Sequence, residues 1–167
     1  AMADALRRFL FRSKLDITAL SPRALTTGNV QAMHAVSRDG DVISLGCGSH
    51  SLELVATSDP DGAWRLLQLR EGWPWLPAAA LDAMLPAALS LQRLQAVAVD
   101  KGCYPGQEIV ARLHFRDGHK RHLHRGRLSQ PIPAGEMLRV DGSEVGCVLD
   151  VVADNGCMEA LLVLSDD

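Results

Sequence analysis

A chain of 167 residues with a formal net charge of −3 can form one domain or two small ones, and its charge balance argues against bulk binding of nucleic acid. Hydrophobic residues make up 47% and charged residues 22%, which supplies a core and excludes disorder as the general state. Cys47, Cys103, Cys147 and Cys157 have no CxxC pairing and no histidine at finger spacing, so neither a structural zinc site nor a disulfide framework is expected. No apolar run approaches ~18 residues and no signal-peptide pattern is read, so reduced thiols in a cytoplasmic protein with no membrane partner are expected.

In chain order, residues 3–12 carry apolar positions at helical spacing, and 14–18 alternate as a strand does. Thr26-Thr27-Gly28-Asn29 has loop chemistry. Residues 32–36, 42–45 and 52–56 read as strands, the first weakly. Hairpin turns are expected at Arg38-Asp39-Gly40-Asp41 and Gly46-Cys47-Gly48-Ser49. Residues 63–71 fit a helix that runs into the proline-broken Gly72-Trp73-Pro74-Trp75-Leu76-Pro77, and 78–85 fit a short helix stopped by Pro86. Residues 89–99 suit a helix or a buried loop. From His122 onward the pattern becomes short alternating runs punctuated by Pro131, Pro133, Asp141-Gly142 and Asn155-Gly156, the signature of a small antiparallel barrel or sheet.

Between these halves lies Lys101-Gly102-Cys103-Tyr104-Pro105-Gly106-Gln107-Glu108, a tight thiol-bearing loop opening onto a short helix. A nearby lysine and a helix N-terminus favour thiolate at Cys103. A small buried hydrophobe in a glycine turn is the other reading, and the residues alone leave both open. Downstream, Arg112, Arg116, Lys120, Arg121, Arg125 and Arg127 stand with His114, His119, His122 and His124 against the single acid Asp117. Strand alternation sets Lys120, His122, His124 and Gly126 on one face and Arg121, Leu123, Arg125 and Arg127 on the other. Such a run is either a solvated face or an anion site for a carboxylate tail, a phosphate backbone or tRNA. His122 and His124 find no convincing third ligand, so no stable metal site is expected.

The loop resembles the Lys-Gly-Cys-Tyr-x-Gly-Gln-Glu signature of the YgfZ family, folate-binding relatives of the glycine-cleavage T-protein (GcvT), and the likeness continues through Ile109-Val110-Ala111-Arg112 to Lys120-Arg121. Arg70-Glu71-Gly72-Trp73-Pro74-Trp75 is similar to the family segment x-E-x-G-x-P, with one residue fewer between Glu and Gly. Leu6-Arg7-Arg8-Phe9-Leu10-Phe11-Arg12-Ser13-Lys14-Leu15 is similar to a helix-to-strand junction of the same proteins.

The resemblance implies an α+β chain. Residues 1–119 would be an incomplete GcvT/YgfZ-like folate-binding region, and 120–167 a small C-terminal β-barrel. It implies a folate-binding protein acting in iron–sulfur cluster assembly or repair, with iron–sulfur proteins as partners and an indirect link to tRNA modification. Cys103 would be the functional thiol, and tetrahydrofolate or a derivative the cofactor. Lys101 and Arg112 would form its cationic rim, Tyr104 and Trp75 its wall, with Gln107 and Glu108 as further polar groups. Packing for Tyr104 and helix capping for Glu108 are the structural alternatives. The family's N-terminal portion has no counterpart here. Exposed Trp73, Trp75 and Leu76, and self-association or pairing with a missing N-terminal portion, are therefore expected. Two other readings are an aminomethyltransferase-like enzyme, whose family aspartate matches no residue here, and a non-catalytic protein or RNA interaction module.

Overall fold

A computed structural model describes residue 18 and residues 21–56, 62–102 and 106–166. The expected elements at 3–12 and 14–17, and Cys103 and Tyr104, lie outside the described residues. The structure is α+β, with two antiparallel four-stranded sheets and few helices. No described helix is long and apolar enough to cross a membrane. The chain divides into two compact units, with the boundary between Gly62 and Ala63.

The first unit holds β1 (Ala24–Gly28), β2 (Val36–Asp39), β3 (Val42–Gly46) and β4 (Ser51–Val55), in the order β1-β4-β3-β2. Thr26 and Thr27 are strand rather than loop, because β1 pairs along its length with β4, Thr26 opposite Glu53 and Thr27 opposite Leu52. Their branched side chains suit that pleated surface. The expected strand at 32–36 starts only at Val36, since 32–35 is a turn closed by the Ala35 N–H on the Ala32 carbonyl at 3.0 Å. Arg38 and Asp39 consequently belong to the ladder, and Gly40-Asp41 alone joins β2 to β3.

In the second unit, α1 (Ala63–Glu71) occupies the span its periodicity predicts. A three-residue 3-10 turn, Ala78–Ala80, replaces the helix expected over 78–85. Asp82 takes a left-handed φ of 60°, which ends any helix there, and Ala80, Ala88 and Leu89 are drawn into the core instead. Ser90 and Gln95, also left-handed, make 89–95 a chain of turns, followed by irregular chain over 96–99. After α2 (Gln107–Arg112) and one π-helical turn, Leu113–Asp117, come β5 (Arg121–Leu128), β6 (Met137–Val140), β7 (Ser143–Asp154) and β8 (Cys157–Ser165). These pair in the order β5-β8-β7-β6, so the pairing establishes a sheet in which β5 is an end strand. Asp141-Gly142 and Asn155-Gly156 make the two-residue hairpins that Asp-Gly and Asn-Gly favour, all four residues at positive φ.

One irregularity decides what this sheet presents. Opposite β8, Val148 pairs with Leu162 but Asp150 pairs with Leu161, so Leu149 is an inserted bulge residue. That one-residue shift places Asp150, Val152 and Asp154 on the same face as Leu161, Glu159, Arg125 and Arg127, since directly opposed residues share a face. Further along this face, Cys147, Leu149, Val163 and Leu123 pack with Ala80, Ala88, Leu89 and Leu76. Leu76 is thus part of the core rather than exposed, and Trp73 is half-buried; Trp75 alone of the three is 42% exposed. The opposite face buries Val148, Ala160 and Leu162 against Leu128, Ile132 and Leu138. With α1 packed on β7 and β8, the sheet is covered on both sides.

Candidate functional site

The best-defined polar site lies where α1 ends against the second sheet. The Trp73 N–H donates to the Gln68 carbonyl at 2.9 Å and the Gly72 N–H to the Leu69 carbonyl at 3.0 Å, which is a Schellman stop. Gly72 has φ 71°, and a Cβ there would stand 2.7 Å from Nη2 of Arg93. The absence of a side chain therefore admits both the turn and the guanidinium, which donates to the Glu71 and Gly72 carbonyls at 2.8 and 3.0 Å. Arg125 Nη1 donates to the Arg70 carbonyl at 3.2 Å. Two guanidinium groups thus satisfy terminal carbonyls at the negative end of the helix.

The acids that the bulge turns to this face engage the arginines of α1. Arg65 pairs with Asp150, whose side chain is 4% exposed. Arg70 donates through Nη2 to Glu159 Oε1 at 2.5 Å and to Asp154 Oδ2 at 2.7 Å, and through Nε to both oxygens of Glu159 at 3.1 and 3.2 Å. The hydrogen bond from Arg70 holds the Glu159 carboxyl below its ordinary range against the opposing effect of burial, with added attraction from Arg125 and Arg127. Reciprocally, Glu159 and then Asp154 hold Arg70 even more firmly protonated. Arg70, Arg125, Gly126, Arg127 and Glu159 line a cavity of about 420 Å³. Among the described residues its lining carries no nucleophile, and Glu159 is committed to Arg70. The arrangement suits binding of an anion rather than bond-breaking chemistry.

The residues read from the cysteine loop fall as follows. Gly106, at φ 84°, opens α2, with Gln107 half-buried, Glu108 exposed in the first turn and Arg112 exposed at the last position. Lys101 is exposed on the other side of the undescribed 103–105. At six residues α2 carries little macrodipole. Trp75 meets Trp64 of α1 edge-on, with ring centroids 4.9 Å apart. Of the other cysteines, Cys157 is exposed while Cys47 and Cys147 are buried. Burial pushes the Cys147 thiol up, with Arg121 opposing.

Sequence reasoning isolated the Arg125/Arg127 face but missed Arg70, Asp154 and Glu159 as its neighbours. The available signal was the spacing of Asp150 and Asp154 within one strand, which becomes a shared face with Glu159 only once the bulge sets the register. Among the histidines, His122 Nε2 meets Asp166 Oδ2 at 3.0 Å and His119 lies edge-on to His122. No group of three or more metal-ligating side chains is found among the described residues.

No protein-family model matches the chain. It is 33% identical over 129 residues to the tRNA-modifying protein YgfZ of Cronobacter sakazakii (strain ATCC BAA-894), covering 71% of this chain and 38% of that protein. The proteins of the same name from Sodalis glossinidius (strain morsitans) and Escherichia coli O45:K1 (strain S88 / ExPEC) are each 36% identical, over 93 and 111 residues. Those matches cover 54% and 62% of this chain, and 28% and 34% of the relatives. The chain therefore spans about a third of the length of these curated relatives. With the Lys-Gly-Cys-Tyr-x-Gly-Gln-Glu loop, the Glu71-Gly72 helix stop and this collinear identity together, the chain belongs to the YgfZ family.

Proposed function

We propose that this is a tRNA-modifying protein of the YgfZ type that binds tetrahydrofolate or a derivative and acts in iron–sulfur cluster assembly or repair, reaching tRNA modification indirectly. The observation that supports its tRNA part is the 33% identity over 129 residues with a relative named for tRNA modification, while the folate and iron–sulfur parts rest on the likeness of the cysteine loop. In this reading residues 1–119 supply a GcvT-like folate-binding region and 120–167 a small barrel, in a cytoplasmic protein. Cys103 is its working thiol. Lys101 and Arg112, exposed on either side of the loop, form the cationic rim for the folate carboxylates, and half-exposed Trp75 offers an aromatic wall beside Tyr104. Gln107 and Glu108 contribute hydrogen-bonding groups. Folate and iron–sulfur proteins are its partners. The exposed apolar side chains of Trp75, Ile109 and Phe115 favour self-association or pairing with an N-terminal portion of the family fold.

Calorimetric titration with tetrahydrofolate tests the ligand. Saturable binding, weakened by about 1–3 kcal/mol in Lys101→Ala, is expected from loss of a charged hydrogen bond. Absence of saturable heat removes folate from the reading. The tRNA part is tested by measuring modified nucleosides in a bacterium deleted for its own YgfZ. The protein should restore them and Cys103→Ser should not. Equal restoration by Cys103→Ser would remove the thiol.

A further inference from the structure

We propose that the face formed by the end of α1 and by β5 binds the phosphodiester backbone of RNA directly, with Arg125 and Arg127 as the phosphate ligands. This rests on the tRNA-modifying role in the reading above, makes its contact with RNA direct rather than indirect, and is independent of its folate part. Among the described residues the cavity there is lined by three arginines, one glutamate and Gly126, and by no aromatic residue. A flat heterocycle finds no wall in it, whereas an oxyanion finds several N–H donors. The three guanidiniums do different work. Arg70 is spent on Glu159 and Asp154, which locks it in place. Arg125 is held by the Arg70 carbonyl, a neutral acceptor, and attracts Glu159 without a contact ion pair among the described residues. Arg127 has no hydrogen-bond or ion-pair partner among the described residues, although it lies opposite Glu159 in the ladder. Two positive groups are therefore available on one preorganised wall.

A wholly solvated strand face would not need this scaffolding: an ion-paired arginine beside it, a carbonyl fixing Arg125, and a bulge that sets Asp150 and Asp154 against the arginines of α1. As alternate residues of one strand, Arg125 and Arg127 are separated by roughly 6–7 Å along the chain. That is a spacing suited to neighbouring phosphates of one nucleic-acid strand. Among the described strands β5 is moreover an end strand, with no further strand paired to its outer edge. Arg121, His122 and His124 are exposed along it, with Lys120 just before. An acidic protein segment would satisfy the same charges, but the relatives named for tRNA modification favour RNA.

The test is fluorescence anisotropy of the purified chain with an unmodified tRNA transcript, between 50 and 200 mM salt. The probes are Arg127→Gln, Arg125→Gln/Arg127→Gln and a distant control, Arg139→Gln. Arg127→Gln touches no structural bond and keeps the test valid if the double variant unfolds. We expect at least tenfold weaker binding for the double variant, a several-fold loss for Arg127→Gln and no loss for Arg139→Gln. The salt slope should fall by roughly 0.7–0.9 per phosphate contact removed. Wild-type affinity in Arg127→Gln and the folded double variant overturns the proposal, as does an equal loss in Arg139→Gln. Displacement by polyglutamate as effective as by competitor tRNA assigns the face to an acidic protein and also overturns it. Tetrahydrofolate titration of the same variants separates the two claims: normal folate heat with unchanged RNA binding rejects this face alone, and RNA binding without folate heat rejects the folate reading alone.

Discussion

The two sheets have the same strand order, with the first strand of each lying beside the last: β1-β4-β3-β2 and β5-β8-β7-β6. In each, three hairpin-linked strands are joined by a long connection to an earlier one, the reverse of a Greek key. They differ in what they bury. The strands of the first sheet have four or five residues, and β2 is exposed at every position. In the second, β7 runs for twelve residues and both faces are packed. Identical connectivity therefore does not make equivalent sheets. Hairpin turns fix the order, but strand length and a two-sided core decide which sheet can hold arginines and carboxylates in fixed positions.

The comparison breaks most readily in the second core. Leu161→Ala, at a fully buried position on β8, should lower stability by about 2–5 kcal/mol in urea unfolding. Leu54→Ala, half-buried on β4, should cost clearly less because less apolar surface is at stake. Equal losses would show that the first sheet is as tightly packed as the second. Next in size is Gly72→Ala, expected to cost about 1–2 kcal/mol from the left-handed backbone alone. A thermal melt unchanged from wild type would mean that the end of α1 readjusts freely.

Glu159→Gln sharpens the contrast through pH. Glu159 has a folded-state pKa below its unfolded value of about 4.3, so its contribution is present above that pH and is lost as pH falls through the folded pKa. The stability gap between wild type and Glu159→Gln should therefore close on acidification. A gap constant between pH 3 and 7 would show that the Arg70 contact contributes through shape rather than charge. Smallest of all, Arg139→Gln removes the exposed pair with Glu144, at 2.7 Å, and should leave the urea-unfolding midpoint nearly unchanged. A larger loss would place the β6–β7 hairpin among the structural supports of the sheet.

Much of the second unit was legible in the sequence because its signals are local. Apolar spacing over 63–71 gave α1, and Asp-Gly and Asn-Gly marked its last two hairpins. The errors arose where distant partners overrule composition. Thr26-Thr27-Gly28 looks like a loop until β4 supplies a ladder, and the alanine-rich 78–85 looks helical until the sheet claims Ala80 and Ala88. The site followed the same division. Alternation put Arg125 and Arg127 on one face, but their meeting with Glu159 depends on the β5–β8 register and the arrival of Asp154 depends on a bulge in β7, neither of which a local pattern announces.

The stop of α1 also has a kinetic consequence. Its last carbonyls are held by Arg93 and by Arg125, the latter 55 residues beyond Arg70. The helix can begin from local contacts, but its end is sealed only after β5 has docked and a long loop has closed. Removing either guanidinium should therefore leave the refolding rate nearly unchanged and accelerate unfolding, the behaviour of contacts that form after the transition state. The two arginines act as a latch on the finished unit, governing how long the native state persists rather than how fast it is reached.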